Sequence, residues 1–173
     1  MPIEPKQLLD LARRLVGPAP GAAEADLRRG ISTAYYALFH LLIKEGMTTF
    51  VSDPVFRTKV GRAFQHGPMR AVCDKYNPAK PDKNTGQFTT QEGQGFPSLA
   101  IAPDVREVAA TFIALYDARE RADYDDATTV RHTEALAAVQ RVENAFRSWL
   151  TVQTDPSAIS FLQELLCRSI MKR

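Results

Sequence analysis

Residues 22 to 46 carry an apolar pattern that fits few structures other than a long helix in the centre of a bundle. One stripe recurs at steps of four and three: Leu27, Ile31, Ala34, Leu38 and Leu41. Tyr35, Phe39 and Leu42 form a second apolar row beside it. A helix that is apolar over so much of its circumference is typical of a central element. We predict that it ends at Gly46, since glycine is common just after a helix.

Other segments carry helix signals of the same kind. The predicted helices are 3–16, 54 to about 65, "MRAVCDKY" after a break at Gly67-Pro68, Asp104 onward, 127–152 and Pro156 onward. Asp53 and Asp155 each precede a proline, which predicts an N-cap and a first helical position. Asp104 and Glu107 have the spacing of a capping box. No strand alternation of useful length appears, so the sequence predicts an all-α bundle of five to six helices.

The segment 77–103 interrupts this helical pattern. It is rich in Pro, Gly, Asn, Thr and Gln and shows no helical or strand period. A loop of this length is usually functional or disordered, so we expect mobility at its tip. A short hairpin around Asn84-Thr85-Gly86 is possible within it. The 173 residues suit one domain, and we predict a single helical domain over 1–173 with this loop as an insertion.

Composition limits the classes of function. The chain is 45% hydrophobic and 24% charged, as expected of a soluble globular protein. Its longest apolar run, "YYALFHLLI", is too short to span a bilayer, and its N-terminus does not resemble a signal peptide, so we expect a cytoplasmic protein without membrane association. The formal charge of +2 neither requires nor excludes a nucleic-acid partner. Cys73 and Cys167 are not spaced as a metal-binding pair, and we expect no metal or cofactor.

The stretch "ARERADYDD", residues 118 to 126, concentrates charge near the end of a predicted helix. Arg119 shares the helical phase of Val105 and Phe112, so its side chain should point to the buried side. Arg121 lies about 200° further round the helix and should be exposed. An arginine on the apolar side needs a partner, because an unpaired buried charge is costly. The possible partners are a bound anion such as phosphate, or the nearby carboxylates Asp123, Asp125 and Asp126.

Two segments together resemble HEPN-domain proteins. "RRGISTAYYALFHLLIKEG" resembles their long second helix, with a Tyr-Tyr-Ala-x-Phe-His core, and "ARERADYDD" resembles the Arg-x-x-x-Asp-Tyr element of one branch of small bacterial and archaeal members. A His-x-Gly-like element often lies between them, and "FQHGP" is the nearest match. The order and spacing agree over about residues 24 to 150. The resemblance implies a HEPN-like up-and-down helical bundle that forms a homodimer.

Many HEPN proteins are metal-independent endoribonucleases of toxin–antitoxin, CRISPR and phage-defence systems. Their signature is an arginine followed, after about four to six positions, by a histidine that can move protons while the arginine stabilises charge on the phosphate. The resemblance therefore implies action on, or binding to, RNA or nucleotides. The candidate catalytic residues are Arg119, Asp123, Tyr124 and His66. The candidate contacts to nucleic acid or nucleotide are Tyr36, Arg62 and Arg121.

The sequence departs from this signature at the histidine. Asp123 or Asp125 occupies its approximate place, and the next histidine after Arg119 is His132, which is too far along. A carboxylate beside an arginine is a poor general acid and repels phosphate. His66, at the Gly-Pro break, is the best substitute among the other histidines, although a capping role explains it equally well.

Two functions remain open from the sequence. One is a ribonuclease that uses Arg119 with an unusual acid–base group. The other is a non-catalytic dimerising module that binds a partner such as a minimal nucleotidyltransferase, with "ARERADYDD" as a structural lock. A bundle that binds a small molecule through the 77–103 loop is a third class, and no individual residue favours it.

Overall fold

The computed structural model describes residues 4–90 and 99–171, and these residues form an all-helical protein. Its helices are α1 (Pro5–Val16), α2 (Glu24–Phe50), α3 (Pro54–Gly61), α4 (His66–Tyr76), α5 (Pro103–Tyr124), α6 (His132–Val152) and α7 (Pro156–Met171). The all-α prediction is confirmed for these ranges, with seven helices instead of five or six. Among the described residues, β-type pairing is limited to one isolated antiparallel bridge between Thr89 and Ala100. No helix in the described part of the chain has an apolar stretch long enough to cross a membrane.

Contacts along the chain group its residues into two units. The first unit comprises Met1–Leu42 and Thr111–Phe146, and the second comprises Ile43–Ala110 and Arg147–Arg173. Helices α2, α5 and α6 each contribute residues to both units. The charged stretch around Arg119 belongs to the first unit, and the 77–103 segment belongs to the second.

The core of the first unit forms where α2 meets α5. Tyr35 is fully buried, and the centre of its ring lies 5.4 Å from that of Phe112 and 6.2 Å from that of Tyr116. The stripe predicted on α2 is buried at four positions: Leu27, Ile31, Ala34 and Leu38. Burial of large aromatic side chains is a strong stabilising contribution, so this junction fixes how α2 and the end of α5 meet.

Helix α1 approaches α2 closely at Gly30. A Cβ atom at this position would lie 2.6 Å from Cγ2 of Val16, far inside van der Waals contact. The buried face of α1 is apolar and its spacing is helical: Leu9, Ala12 and Val16. The missing side chain at Gly30 therefore allows the two helices to pack against each other.

In the second unit, α4 packs against α7 through a buried polar network. Lys75 Nζ donates to both oxygens of Glu164, at 2.8 Å and 2.9 Å. The Tyr76 hydroxyl hydrogen bonds with Ser160 Oγ at 2.8 Å and donates to Glu164 at 3.0 Å. Burial, with a smaller contribution from Glu164, raises the pKa of Tyr76 above its ordinary range. Because every charged atom of this network has a partner, the network holds the two helices in one register.

Two helix starts follow the local signals in the sequence. Asp53 accepts a hydrogen bond from the amide of Val55 at 2.8 Å, and α3 begins at Pro54. Asp155 accepts one from the amide of Ser157 at 2.8 Å, and α7 begins at Pro156. Both predictions are confirmed, because capping by aspartate and proline depends only on neighbouring residues.

Helix boundaries near glycine differ from the predictions. Helix α2 continues through Gly46 to Phe50, and Gly46 is buried where a Cβ would lie 3.6 Å from the Phe64 ring. Helix α3 ends at Gly61 rather than near residue 65. Helix α4 begins at His66, so the predicted break at Gly67-Pro68 is its first turn, where proline needs no amide hydrogen. Tertiary packing explains why α2 continues through Gly46, and the position of Pro68 in the first helical turn explains why α4 is not broken there.

The starts of α5 and α6 also differ. Helix α5 begins at Pro103, so Asp104 lies inside its first turn, where its carboxylate accepts a hydrogen bond from Thr151 Oγ1 at 2.8 Å. The predicted N-cap position of Asp104 is therefore wrong by a small shift in register. Helix α6 begins at His132, later than the predicted residue 127. The residues before it are held in a loop by distant side chains, which no local signal reveals.

The 77–103 segment contains a tight turn but no flanking strands among its described residues. Asp82 accepts hydrogen bonds from the amides of Asn84 at 3.0 Å and Thr85 at 2.9 Å, and Gly86 has a positive φ of 68°. The turn lies where a hairpin was considered, and backbone hydrogen bonds from Asp82 to Gln87 and from Gly86 to Asp82 close it together with the aspartate side chain. Residues 91–98, where mobility of the loop tip was expected, lie outside the described residues.

Candidate functional site

Helical phase placed the two arginines of the charged stretch correctly. Arg119 lies on the buried side of α5 and is 9% exposed, while the side chain of Arg121 is 55% exposed. Arg121 makes only a loose ion pair, 3.6 Å from Glu134. Of these two arginines, Arg119 is the one whose partners affect stability, since a charge removed from water must be compensated.

The Arg119 guanidinium is paired within its own helix. Its Nε donates to Asp123 Oδ2 at 3.0 Å, its Nη1 to Glu120 Oε1 at 2.9 Å and its Nη2 to the Tyr124 hydroxyl at 3.3 Å. Each guanidinium nitrogen thus has a side-chain acceptor from α5. Of the possible partners raised by the sequence, Asp123 is the one that the structure places on Arg119.

Asp123 joins this arrangement to α2. Its Oδ2 accepts from Arg119, and its Oδ1 accepts a hydrogen bond from the hydroxyl of Ser32, which is 1% exposed. The carboxylate therefore lies between one donor from α5 and one from α2. A buried hydroxyl and a mostly buried guanidinium that share one carboxylate form a cross-link between the helices.

Tyrosine rings surround the same guanidinium. Its central carbon lies 5.9 Å from the ring centre of Tyr35, 6.0 Å from that of Tyr36 and 5.5 Å from that of Tyr124. These distances permit cation–π attraction. Burial by itself lowers the pKa of Arg119, but Tyr36, Tyr124 and the two carboxylates outweigh it and raise the pKa above its ordinary value. The Arg119 guanidinium therefore stays charged.

A second arginine, missed in the sequence, holds the end of α5. Arg28 Nη1 donates to the carbonyls of Ala122 and Asp125, each at 3.0 Å, and its Nη2 donates to that of Thr128. Its Nε donates to Glu24 at 3.1 Å. Ala122 belongs to the last turn of α5, whose carbonyls lack partners within the helix, whereas Asp125 and Thr128 lie in the loop that follows. Arg28 therefore ties both the helix end and the loop to α2. We call this arrangement the Arg28 clasp.

The sequence did contain a signal for these α2 residues. Glu24, Arg28 and Ser32 are spaced four apart, so they lie along one face of α2. Ser32 is a polar residue in an otherwise apolar stretch, which suggests a buried hydrogen bond. The distant partners of Ser32, Arg28 and Glu24 are 91 to 106 residues away along the chain, so only the folded structure identifies them.

Asp125 turns the chain after α5. Its carboxylate accepts from Thr128 Oγ1 at 2.6 Å and from the amide of Ala127 at 3.0 Å. These hydrogen bonds, first that of Thr128, lower the pKa of Asp125 below its ordinary value. Asp125 therefore shapes the loop that the Arg28 clasp holds.

The histidines occupy other places. His132 Nε2 lies 3.2 Å from the carbonyl oxygen of Gly17, and His40 is half-buried beside the Tyr36 and Phe39 rings, where burial lowers its pKa. His66 is the first residue of α4, in the second unit.

Five of the seven candidate residues belong to the first unit, and four of them form the Arg119 site: Arg119, Asp123, Tyr124 and Tyr36. Arg121 is in the same unit, paired loosely with Glu134. Arg62 and His66 are in the second unit, where Arg62 is the exposed C-cap of α3.

Neither a group of metal ligands among the described residues nor a match to a known protein adds to this description of the Arg119 site. Across residues 4–90 and 99–171, no three His, Cys, Asp or Glu side chains are grouped so that they could hold a metal ion. Comparisons with protein-family models, curated proteins and solved structures gave no match. Inferences about function therefore depend on the chemistry of the Arg119 site, which offers one strong cation already balanced by its own helix.

Proposed function

We propose that this chain is a non-catalytic, HEPN-like interaction module of a cytoplasmic toxin–antitoxin or phage-defence system. It acts as a homodimer or with a partner protein such as a minimal nucleotidyltransferase. The "ARERADYDD" stretch serves as a lock that fixes the end of α5 on α2. The family and the system enter through the resemblance of two sequence segments, while the absence of catalysis is argued from the geometry of the site.

The observation that carries this proposal is the pairing of Arg119 with acidic groups of its own helix. A catalytic arginine must offer its guanidinium to a phosphate, but here Asp123 and Glu120 already occupy two of its nitrogens. A phosphate would have to replace a carboxylate and approach the remaining one, and that repulsion weakens binding. Asp123, in the approximate place of the family's histidine, is engaged by Ser32 and Arg119.

A second function, RNA binding at the same site, is favoured by one observation. Tyr124 is 70% exposed beside Arg119, and the side chain of Glu120 is 47% exposed, so Glu120 can move away without unfolding the helix. An arginine next to an exposed aromatic ring is a common combination for binding a phosphate and stacking a base of single-stranded RNA.

A cleavage assay separates these functions. Purified protein is incubated with mixed RNA, with and without EDTA, beside Arg119→Ala and the exposed control Arg121→Ala. We expect no cleavage by any of the three proteins. EDTA-resistant cleavage that Arg119→Ala abolishes would show a ribonuclease and overturn the proposal, whether or not Arg121→Ala reduces the cleavage through a lost contact to RNA. RNA binding without cleavage, weakened in Tyr124→Ala and Arg119→Ala, would establish the second function instead.

The interaction role is tested by measuring the molar mass of the isolated chain and by co-purification with a partner. Light scattering during size-exclusion chromatography gives the mass of the isolated chain, and co-expression with the product of the adjacent reading frame tests for a complex. We expect a dimer or a stoichiometric complex. A monomer that binds no encoded neighbour contradicts the interaction role.

A further inference from the structure

Helix α3 exposes one long face to solvent. It has no buried residue, although its opposite side is only partly exposed at Val60 and Gly61, and Val55 and Phe56 are 71% and 54% exposed. Phe50, at the end of α2, is also 37% exposed. A helix of a globular protein usually covers an apolar stripe, so α3 contributes little to the core of the described structure. Its apolar side chains are available for an intermolecular contact.

The same segment is basic. Between residues 48 and 65 the cations are Arg57, Lys59 and Arg62, and the only acidic residue is Asp53. The Asp53 carboxylate caps the helix by accepting from the amide of Val55. Its charge therefore lies at the positive end of α3, and the later part of the helix presents positive charge to solvent.

Apolar and basic side chains share one open face of α3. Pro54, Val55, Thr58, Lys59 and Arg62 line a shallow, open depression on it. Positions 55, 58, 59 and 62 are three, four and seven residues apart, which places them on one face of the helix. We call this face, with the neighbouring Phe56, the α3 surface.

We propose that the α3 surface is a docking site for an acidic amphipathic segment of a partner protein. The proposal rests on the proposed function and specifies the chemistry of the partner. An apolar side chain of the segment packs on Val55, and its carboxylates lie near Lys59 and Arg62. This mode combines burial of apolar area with complementary charge, as when an amphipathic helix binds a groove.

The composition of the α3 surface favours a protein segment over other anionic occupants. Recognition of anionic lipid usually takes clusters of about four to eight Lys or Arg, more than this surface offers. Binding of nucleic acid depends on several phosphate contacts and leaves apolar groups such as Val55 without a partner. The eight residues of α3 span about 12 Å, so the occupant is a short segment rather than a whole domain face.

The experiment uses the full chain and labelled synthetic peptides of about four helical turns. One peptide has leucine on one face and glutamate elsewhere, the second replaces each glutamate by lysine, and the third is a scrambled form of the first. Fluorescence anisotropy measures binding to the wild-type chain, Val55→Asp, Lys59→Glu and the control Leu150→Asp. Leu150 is an apolar residue of α6 with a similar exposure, 69%, so the control adds the same charge at another exposed site.

We expect the acidic peptide to bind at least about tenfold more tightly than the lysine peptide, a difference of about 1.4 kcal/mol. Val55→Asp and Lys59→Glu should each weaken binding by about tenfold, while Leu150→Asp leaves it unchanged. Absence of binding, or equal binding by all variants, overturns the proposal. Circular dichroism checks folding, and Val55→Ser replaces Val55→Asp if the aspartate variant is unfolded.

Two further probes test the other occupants. Vesicles of phosphatidylserine and phosphatidylcholine, and single-stranded oligouridylate, are titrated against the same variants. Binding to either probe that depends on Val55 and exceeds binding of the acidic peptide assigns the surface to that occupant and overturns the proposal. None of these measurements involves Arg119 or RNA cleavage, so failure here is distinct from failure of the proposed function.

Discussion

Arg119 Nε lies 3.0 Å from Asp123 Oδ2, one helical turn further along α5. The same carboxylate accepts from Ser32 of α2, so a pair that looks local in the sequence also joins two helices. An exposed pair at this spacing contributes only a few tenths of a kcal/mol. Limited exposure and the shared buried partner should make this pair considerably stronger.

A double-mutant cycle on Arg119 and Asp123 measures that coupling. Arg119→Ala should lower the free energy of unfolding by about 1–3 kcal/mol, because it leaves the Asp123 carboxylate without its cation. Arg121→Ala, the exposed control on the same helix, should change it by less than about 0.5 kcal/mol. Urea unfolding of Arg119→Ala, Asp123→Asn and the double variant gives the coupling energy. If the losses in unfolding free energy of the two single variants simply add in the double variant, the pair does not link the helices as proposed.

The Arg28 clasp should control the order of the loop between α5 and α6. Arg28→Lys keeps the charge, but its single nitrogen cannot occupy the separate positions of Nη1 and Nη2, from which Arg28 reaches the carbonyls of Ala122 and Asp125 and that of Thr128. Hydrogen exchange measured by mass spectrometry should therefore speed up in a peptide covering residues 122–130. Arg29→Lys, an exposed neighbour on α2, serves as the control. An unchanged exchange rate in Arg28→Lys would mean that hydrogen bonds within the loop, such as those of Asp125, are enough to keep it ordered.

Two glycines make a matched pair for testing helix packing. A methyl group at Gly30 would meet Val16 Cγ2 at 2.6 Å, whereas one at Gly67 meets nothing within 4 Å. Gly30→Ala should cost about 1–3 kcal/mol of stability despite the better helix propensity of alanine. Gly67→Ala, in the first turn of α4, should cost less than about 1 kcal/mol, because a Cβ there meets no distant atom and crowds only the ring of the following Pro68. Thermal unfolding of both variants tests this contrast, and equal shifts would contradict it.

His40 should make stability depend on pH on the acidic side of neutrality. Burial lowers the pKa of His40 in the folded chain, so the unfolded chain takes up its proton first as the pH falls. This contribution is fully present above the unfolded value, about 6.5, and is lost as the pH falls through the folded value. Urea unfolding at pH 7.5 and 5.5 should show a smaller loss for His40→Gln than for the wild type. An identical loss would assign the dependence to other groups.

The site was predictable where it depended on helical phase. Arg119 shares a phase with Val105 and Phe112, and the expected burial of Arg119 and exposure of Arg121 are both found. The identity of the partner was left open between carboxylates and a phosphate, because side chains on α5 alone do not decide it. Ser32 and Arg28 reach this stretch from about 90 residues away, so they decided the arrangement and were missed.

The sequence by itself determined the all-helical character of the described residues and the starts of α3 and α7. Periodicity and the Asp-Pro caps act within a few residues, so they keep their meaning in any fold. The tertiary structure decided that α2 continues through Gly46, which is packed against Phe64, and that α6 begins at His132 after a loop held by Arg28. It also decided that the Arg119 guanidinium is paired with carboxylates of its own helix instead of being open to an external anion. The two boundaries depend on contacts between separate parts of the chain, whose energies outweigh the weak local preferences. The acids that pair with Arg119 are local, but the distant hydroxyl of Ser32 holds the Asp123 carboxylate in place.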